Sequence, residues 1–205
     1  RSPWWRPFES FALGRRLKRG RFDRVYDLQT SERSGWYFEL MGREPEWSGI
    51  AKGCSHCHDN PDRDRMHTLD RQAEQLANAG IRHVPSPELS WAVADVDRFK
   101  VSPPFVLIAP GASPHRPGKR WPASSYAVLA RALSETGNKP VLIGTAAEAE
   151  IAQQITTQCG AAVNLTGRTT LLEVAALARP ASAAVGNDTG PMHVFSMSGC
   201  NCIVL

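Results

Sequence analysis

Ala181-Ser182-Ala183-Ala184-Val185-Gly186-Asn187-Asp188-Thr189-Gly190-Pro191-Met192-His193 runs from an apolar stretch, through a glycine-bounded turn, into a segment with helical character. Strand, tight turn and helix start, in that order, are what a phosphate-binding turn requires. The glycines let the backbone approach a ligand closely. A helix N-terminus presents unpaired N–H groups at the positive end of its dipole. Asp188 or Thr189 is placed to cap that helix, and His193 falls in its first turns. An ordinary capped strand-to-helix turn uses the same residue types, so the reading depends on what the rest of the chain supplies.

Residues 101–205 alternate between two textures. Phe105-Val106-Leu107-Ile108-Ala109 and Pro140-Val141-Leu142-Ile143-Gly144 are short apolar runs. Ala162-Val163-Asn164-Leu165, Ala183-Ala184-Val185 and Cys202-Ile203-Val204-Leu205 continue the series. Between them, residues 124–135 carry Tyr126, Leu129, Ala130 and Leu133 at helical spacing, and residues 147–158 carry Ile151, Ala152 and Ile155. Thr170-Leu171-Leu172-Glu173 has capping-box spacing ahead of Val174, Ala175 and Ala178. A last helix is expected over residues 189–198. Buried apolar strands separated by amphipathic helices predict a parallel sheet covered on both faces. Its crossovers are right-handed, and its ligands bind at the carboxyl ends of the strands.

Residues 1–100 are richer in Arg, Trp, His and Asp and less regular. Val101-Ser102-Pro103-Pro104 reads as the join between two domains, 1–100 and 101–205, because paired prolines stop a helix and stiffen a linker. In the first, residues 4–18 read as an amphipathic helix and Val25-Tyr26-Asp27-Leu28 as a short strand. Residues 34–41 and 69–79 read as helices, the latter with Leu69, Ala73, Leu76 and Ala77 inward and Gly80 as its stop. A long polar loop is expected over residues 52–66. It holds Cys54-Ser55-His56-Cys57-His58, the spacing of covalent haem attachment and a crowded version of a zinc set. No export signal or clear distal haem ligand accompanies it, so it reads as a plain or substrate-facing loop. The five cysteines form no evident disulfide framework, which fits a reducing cytoplasm.

At 205 residues and 42% hydrophobic, the chain can bury a real core. No apolar run reaches the length of a membrane span, and no secretory signal is visible. The net charge of +4 suits anionic ligands, but without long Lys/Arg runs it argues against nucleic acid. Arg15-Arg16-Leu17-Lys18-Arg19-Gly20-Arg21 is a local basic cluster that suits either acidic lipid headgroups or a solvated helix end. The first residue is Arg and the last ones lie in an apolar strand-like run, which reads as a piece of a longer protein.

Pro110-Gly111-Ala112-Ser113 leaves the first strand of the second half, and Lys119-Arg120-Trp121-Pro122 enters the next helix, with Pro122 suited to its first turn. This is not a P-loop: six residues separate Gly111 from Gly118, and Arg120 follows Lys119 where Ser or Thr is required. No Gly-x-Gly-x-x-Gly is present, which argues against a dinucleotide dehydrogenase. A lysine beside a helix start is a natural pyrophosphate partner, and each charge-assisted hydrogen bond contributes about 1.5–3 kcal/mol. Two phosphate-suited turns, at residues 113–119 and 188–193, could thus face one nucleotide diphosphate.

This set of motifs resembles glycosyltransferase family 9, the heptosyltransferases of lipopolysaccharide core assembly. Besides the two turns, the resemblance rests on Leu142-Ile143-Gly144 with Glu148 and on Asn164-Leu165-Thr166-Gly167-Arg168-Thr169. It extends more weakly to Tyr26-Asp27-Leu28-Gln29-Thr30 and Asp62-Arg63-Asp64-Arg65-Met66-His67. It implies an α/β, GT-B-like fold of two Rossmann-like domains with parallel sheets, the N-terminal one incomplete. It also implies inverting transfer of a heptose or related sugar, without a metal or other cofactor, from an ADP-sugar to a lipopolysaccharide core or lipid-linked acceptor. The cytoplasm is the expected location, peripheral at the inner membrane face, with a membrane surface as a candidate partner.

By the same resemblance, Ser113 and Lys119 hold the donor diphosphate, and Asp188, Thr189 and Gly190 contact sugar and phosphate. His193 shapes the turn, and Glu148 binds the ribose, with Glu150 close enough to compete for that role. The family's general base is an Asp in a Gly-rich loop that precedes the first residue of this chain, so no residue here receives that role. Asp27 and the carboxylates of residues 59–70 read as solvated or acceptor-side groups. Two other readings share parts of the pattern: another nucleotide-sugar enzyme of the same architecture, and a non-catalytic nucleotide- or metal-binding protein.

Overall fold

The computed structural model describes residues 7–112 and 120–205. The chain divides into two units, Arg1–Ser86 and Pro87–Leu205.

The first unit contains helices α1 (Pro7–Arg19), α2 (Glu32–Leu40) and α3 (Thr68–Asn78). Its parallel sheet, ordered β1-β2-β3, is formed by β1 (Arg24–Tyr26), β2 (Glu46–Gly49) and β3 (His56–Cys57). The helix expected over residues 4–18 is present from Pro7; Trp4 lies outside the described residues. Strands β2 and β3 were not expected, and β3 occupies the stretch read as loop. Their main chains are satisfied by register: Val25 pairs with Trp47 and Gly49 with Cys57. The ladder continues past the strand ends, where Asp27 N–H donates to Ser48 O at 2.8 Å and His58 N–H to Gly49 O at 2.8 Å. Trp47 is buried against Phe38, with ring centroids 5.3 Å apart, and Met41 completes the cluster.

Helix α2 starts in a capping box made of two serines. Ser34 N–H donates to Ser31 Oγ at 3.1 Å and Ser31 N–H to Ser34 Oγ at 2.9 Å. Helix α3 keeps only part of its expected inward face, with Ala73 and Leu76 half-buried. Leu69 is exposed, Ala77 is exposed, and Gln75 is fully buried. The reason is polar. The Gln75 amide donates to Asp27 O at 3.0 Å and Ser48 O at 3.2 Å, satisfying carbonyls at the ends of two strands. Apolar periodicity cannot report a helix that docks through an amide.

The second unit is the doubly wound sheet that the apolar runs predict. Strands β4 (Phe105–Ala109), β5 (Lys139–Leu142), β6 (Val163–Asn164), β7 (Ala183–Gly186) and β8 (Cys202–Val204) lie in the order β6-β5-β4-β7-β8, all parallel. Helices α4 (Ala123–Glu135) and α5 (Ala149–Gln158) cover one face. Ile108, Leu142, Tyr126, Ala130 and Ile155 form that core. Helices α6 (Leu171–Ala178) and α7 (Gly190–Met197) cover the other, around Phe105, Leu107, Val141, Leu177 and Phe195. Neighbours along β4 thus serve opposite cores, as strand pleating demands. Each fully buried Val, Leu, Ile or Phe among them contributes about 1.5–3 kcal/mol.

The Thr170–Glu173 box forms as expected. Glu173 carboxylate accepts from Thr170 N–H at 2.8 Å and from the Arg98 guanidinium at 2.7 Å. These bonds, that from Thr170 first, hold Glu173 below the usual carboxylate range. Arg179, just past α6, donates to Ala92 O at 2.9 Å. Residues 89–99 are therefore fastened to α6 at both ends by arginines.

Candidate functional site

In a doubly wound sheet the carboxyl strand ends face the ligand. Here the ends of β5, β4 and β7 lie side by side. Two of them approach each other through glycine. A Cβ on Gly186 would sit 2.7 Å from Ala109 O, 2.8 Å from Ala109 Cβ and 2.9 Å from Met192 Sδ. Gly111 and Gly144 leave a slot for Glu148: Cβ atoms there would fall 2.9 Å from Glu148 Cγ and 3.1 Å from Glu148 Cβ.

Asn187 fastens these ends together and is 1% exposed. Its Nδ2 donates to Pro110 O at 2.9 Å and Gly111 O at 3.1 Å, and its Oδ1 accepts from Trp121 N–H at 3.0 Å. The network fixes the amide orientation, since only the NH2 end can serve two carbonyls. Pro110-Gly111 and Trp121 flank residues 113–119. One buried amide therefore holds both stems of that segment to the end of β7. Arg120 adds a second tie, donating to Ala112 O at 2.9 Å. Trp121 packs edge-on against Tyr126, with centroids 4.8 Å apart. Burial pushes the Tyr126 hydroxyl up to about 12. Asn187 stands within the quoted motif, but its partners lie 66 to 77 residues away, so no local pattern reveals its role.

Of the expected site residues, Ser113 and Lys119 lie outside the described residues. Asp188, Thr189, Gly190 and His193 share the β7–α7 turn. Thr189 takes the N-cap position, but its side chain does not cap: Thr189 Oγ1 donates back to Asn187 O at 3.1 Å. Capping of α7 by the Thr189 side chain is thus not what the turn does. Gly190 opens the helix with nothing within 4 Å of where a Cβ would stand. His193 Nε2 lies 4.0 Å from Asp188 Oδ1, both side chains being exposed.

Glu148 sits at the β5–α5 junction. One carboxylate oxygen accepts from Thr145 N–H at 2.7 Å and Thr145 Oγ1 at 2.6 Å, capping the short turn Ala146–Glu148. Its other oxygen faces Gly111. Glu148 and Glu150 both line a cleft of about 370 Å³, floored by Pro110-Gly111 and walled by Trp121 and Ile151. The sequence ambiguity between the two glutamates has a structural counterpart: both reach the cleft, and only Glu148 is held in place by a cap.

In the first unit, Asp27 is buried, not solvated. Its Oδ1 accepts from Thr30 N–H at 3.1 Å, and its Oδ2 has no partner among the described residues. The two histidines of Cys54–His58 turn to different partners. His56 Nε2 is 3.6 Å from Glu46, His58 is buried with Nε2 3.3 Å from Glu74, and Cys54 Sγ lies 3.7 Å from Gly49 O. Among the described residues, no group of three or more His, Cys, Asp or Glu could hold a metal ion. No described helix is long and apolar enough to cross a membrane.

The second unit is a Rossmann-like α/β sheet in which the carboxyl ends of β5, β4 and β7 lie side by side. A family model described as glycosyltransferase family 9 (heptosyltransferase) matches residues 10–196, and the chain belongs to that family. Lipopolysaccharide heptosyltransferase 2 of Escherichia coli K12 is 31% identical over 206 residues, covering 89% of this chain and 59% of its own length. Lipooligosaccharide heptosyltransferase 2 of Haemophilus ducreyi is 27% identical, covering 93% and 61%. The structure of E. coli ADP-heptose lipopolysaccharide heptosyltransferase II superposes with a TM-score of 0.70 at 27% identity, covering 96% of this chain and 66% of that one. A family 9 glycosyltransferase from Veillonella parvula gives 0.72 at 21% identity, a likeness of fold, covering 95% and 61%. The fold is thus α/β and GT-B-like, and the chain spans about three fifths of the length of the curated relatives it matches.

Proposed function

We propose that the protein containing this chain transfers a heptose, with inversion, from an ADP-sugar to a lipopolysaccharide core acceptor. The observation that carries this reading is the start of α7, left without a side-chain cap by Thr189 and opening beside the glycine-lined ends of β4 and β7. Inverting transfer requires a base for the acceptor hydroxyl and a counter-charge for the departing diphosphate. Residues 101–205 supply the second. Lys119 and Ser113 hold the diphosphate, while Asp188, Thr189 and Gly190 contact phosphate and sugar around the helix N-terminus. His193 shapes that turn. Glu148 offers its oxygen nearest Gly111 to the ribose, the other being committed to Thr145. Charge neutralisation by lysine and helix dipole requires no metal. Residues 1–100 form the acceptor side, and no residue of this chain is assigned as the base.

The test is transfer from ADP-heptose, against UDP- and GDP-sugars, to heptose-deficient lipopolysaccharide core, using the full-length protein. Product formation with ADP-heptose alone is expected. Transfer only from a UDP-sugar would place the protein among other nucleotide-sugar enzymes of this architecture.

The acceptor is lipid-linked, and α1 suits a cytoplasmic, peripheral position at the inner membrane face. Phe8 and Phe11 are 88% and 66% exposed on α1, beside Arg15, Arg16, Lys18 and Arg19. Exposed aromatics next to a basic cluster favour an anionic interface. Replacing those four basic residues by Ala is expected to weaken binding to phosphatidylglycerol vesicles several-fold; undiminished binding would remove the membrane from this reading.

A further inference from the structure

The Cys54-x-x-Cys57 pair plays no part in the donor site. The two cysteines are neighbours beside Gly49, with the Cys57 side chain acting on the Cys54 thiol. Cys57 pairs with Gly49 in the β2–β3 register, and Cys54 Sγ reaches Gly49 O at 3.7 Å. A tight turn leads into Cys54, whose N–H donates to Ala51 O at 3.1 Å. Cys57 is exposed and Cys54 half-buried, and both are free thiols. Burial first, and then the neighbouring Cys57, push the Cys54 thiol up to about 11. Two thiols three residues apart, one open to solvent and one sheltered beside it, make an attacking and a resolving partner.

We infer that Cys54 and Cys57 are a dithiol modification site, oxidised by small-molecule disulfides such as glutathione disulfide to an intramolecular disulfide. In the first step the Cys57 thiolate attacks one sulfur of the reagent. The reagent's S–S bond breaks, one thiolate leaves, and it takes up the proton lost by Cys57. In the second step Cys54, deprotonated as it attacks, displaces the remaining reagent thiolate from Cys57 Sγ, and that thiolate takes up the Cys54 proton. The dithiol loses two electrons and the reagent disulfide gains them, leaving two free reagent thiols. The product ties residue 54 to the end of β3. This lies beside the buried Asp27, whose Cβ is 3.1 Å from where a Gly49 Cβ would stand. The site is independent of the glycosyltransferase reading.

The experiment is peptide mapping of the full-length protein after equilibration with mixtures of reduced and oxidised glutathione. Tryptic peptide 53–63 holds both cysteines and separates them from Cys200 and Cys202. In the wild type this peptide is expected to lose two hydrogens with little glutathionyl adduct. Cys54→Ser is expected to stop at a stable adduct on Cys57, because the resolving thiol is gone. Cys57→Ser is expected to react at least tenfold more slowly at Cys54. A wild-type peptide that remains reduced, or accumulates adduct as Cys54→Ser does, overturns the inference. So do equal reaction rates in the two single variants.

Discussion

Asn187→Asp is expected to destabilise the second unit by about 3–5 kcal/mol, the range for an uncompensated buried charge. The substitution keeps size and shape. It replaces the two donors facing Pro110 O and Gly111 O, at 2.9 and 3.1 Å, with a carboxylate oxygen. Two buried carbonyls then face a negative charge in a site 1% exposed. Only the bond from Trp121 N–H survives. The same change releases both stems of residues 113–119, so nucleotide affinity falls with stability. Urea denaturation measures the first effect, and an unchanged midpoint would contradict the role given to this amide.

Gly186→Ala is expected to cost about 1–3 kcal/mol, towards the upper end of what one extra methyl does in a packed site. The reason is rigidity. The new Cβ would meet Ala109 O and Ala109 Cβ at 2.7 and 2.8 Å, atoms of a central strand that cannot withdraw without breaking the β4–β7 ladder. Met192 Sδ at 2.9 Å is the one neighbour able to move. Gly190→Ala is the control. No atom lies within 4 Å of its added Cβ, so stability should change by less than about 0.5 kcal/mol. Thermal melts of the pair compare the effects directly, and equal losses would contradict the close approach of β4 and β7.

The second unit was legible because its central strands β4, β5 and β7 are buried on both faces and its helices on one. Phe105 to Ala109 could only be a central strand, and Thr170 with Glu173 marked a helix start that forms as read. The first unit was less legible because its elements are short and polar. Glu46-Trp47-Ser48-Gly49 and His56-Cys57 carry no alternation, and they become strands only by pairing with β1 and with each other. In α3 the inward residue is Gln75, which hydropathy places outside. The site divides similarly. The turn at residues 188–193 was visible as a local pattern. Asn187, in the middle of that same motif, does its work through partners far along the chain.

Residues 101–205 are proposed to bind the ADP portion of a sugar donor. Thermal stability with ADP, UDP and GDP, on the wild type and on Lys119→Ala, tests this most directly. At about a hundred times its dissociation constant a ligand adds roughly 2.7 kcal/mol, which raises Tm by about 5–10 °C in a chain of this size. That shift is expected with ADP alone, and its loss in Lys119→Ala. An equal shift with all three nucleotides, or one that survives Lys119→Ala, would contradict the proposal.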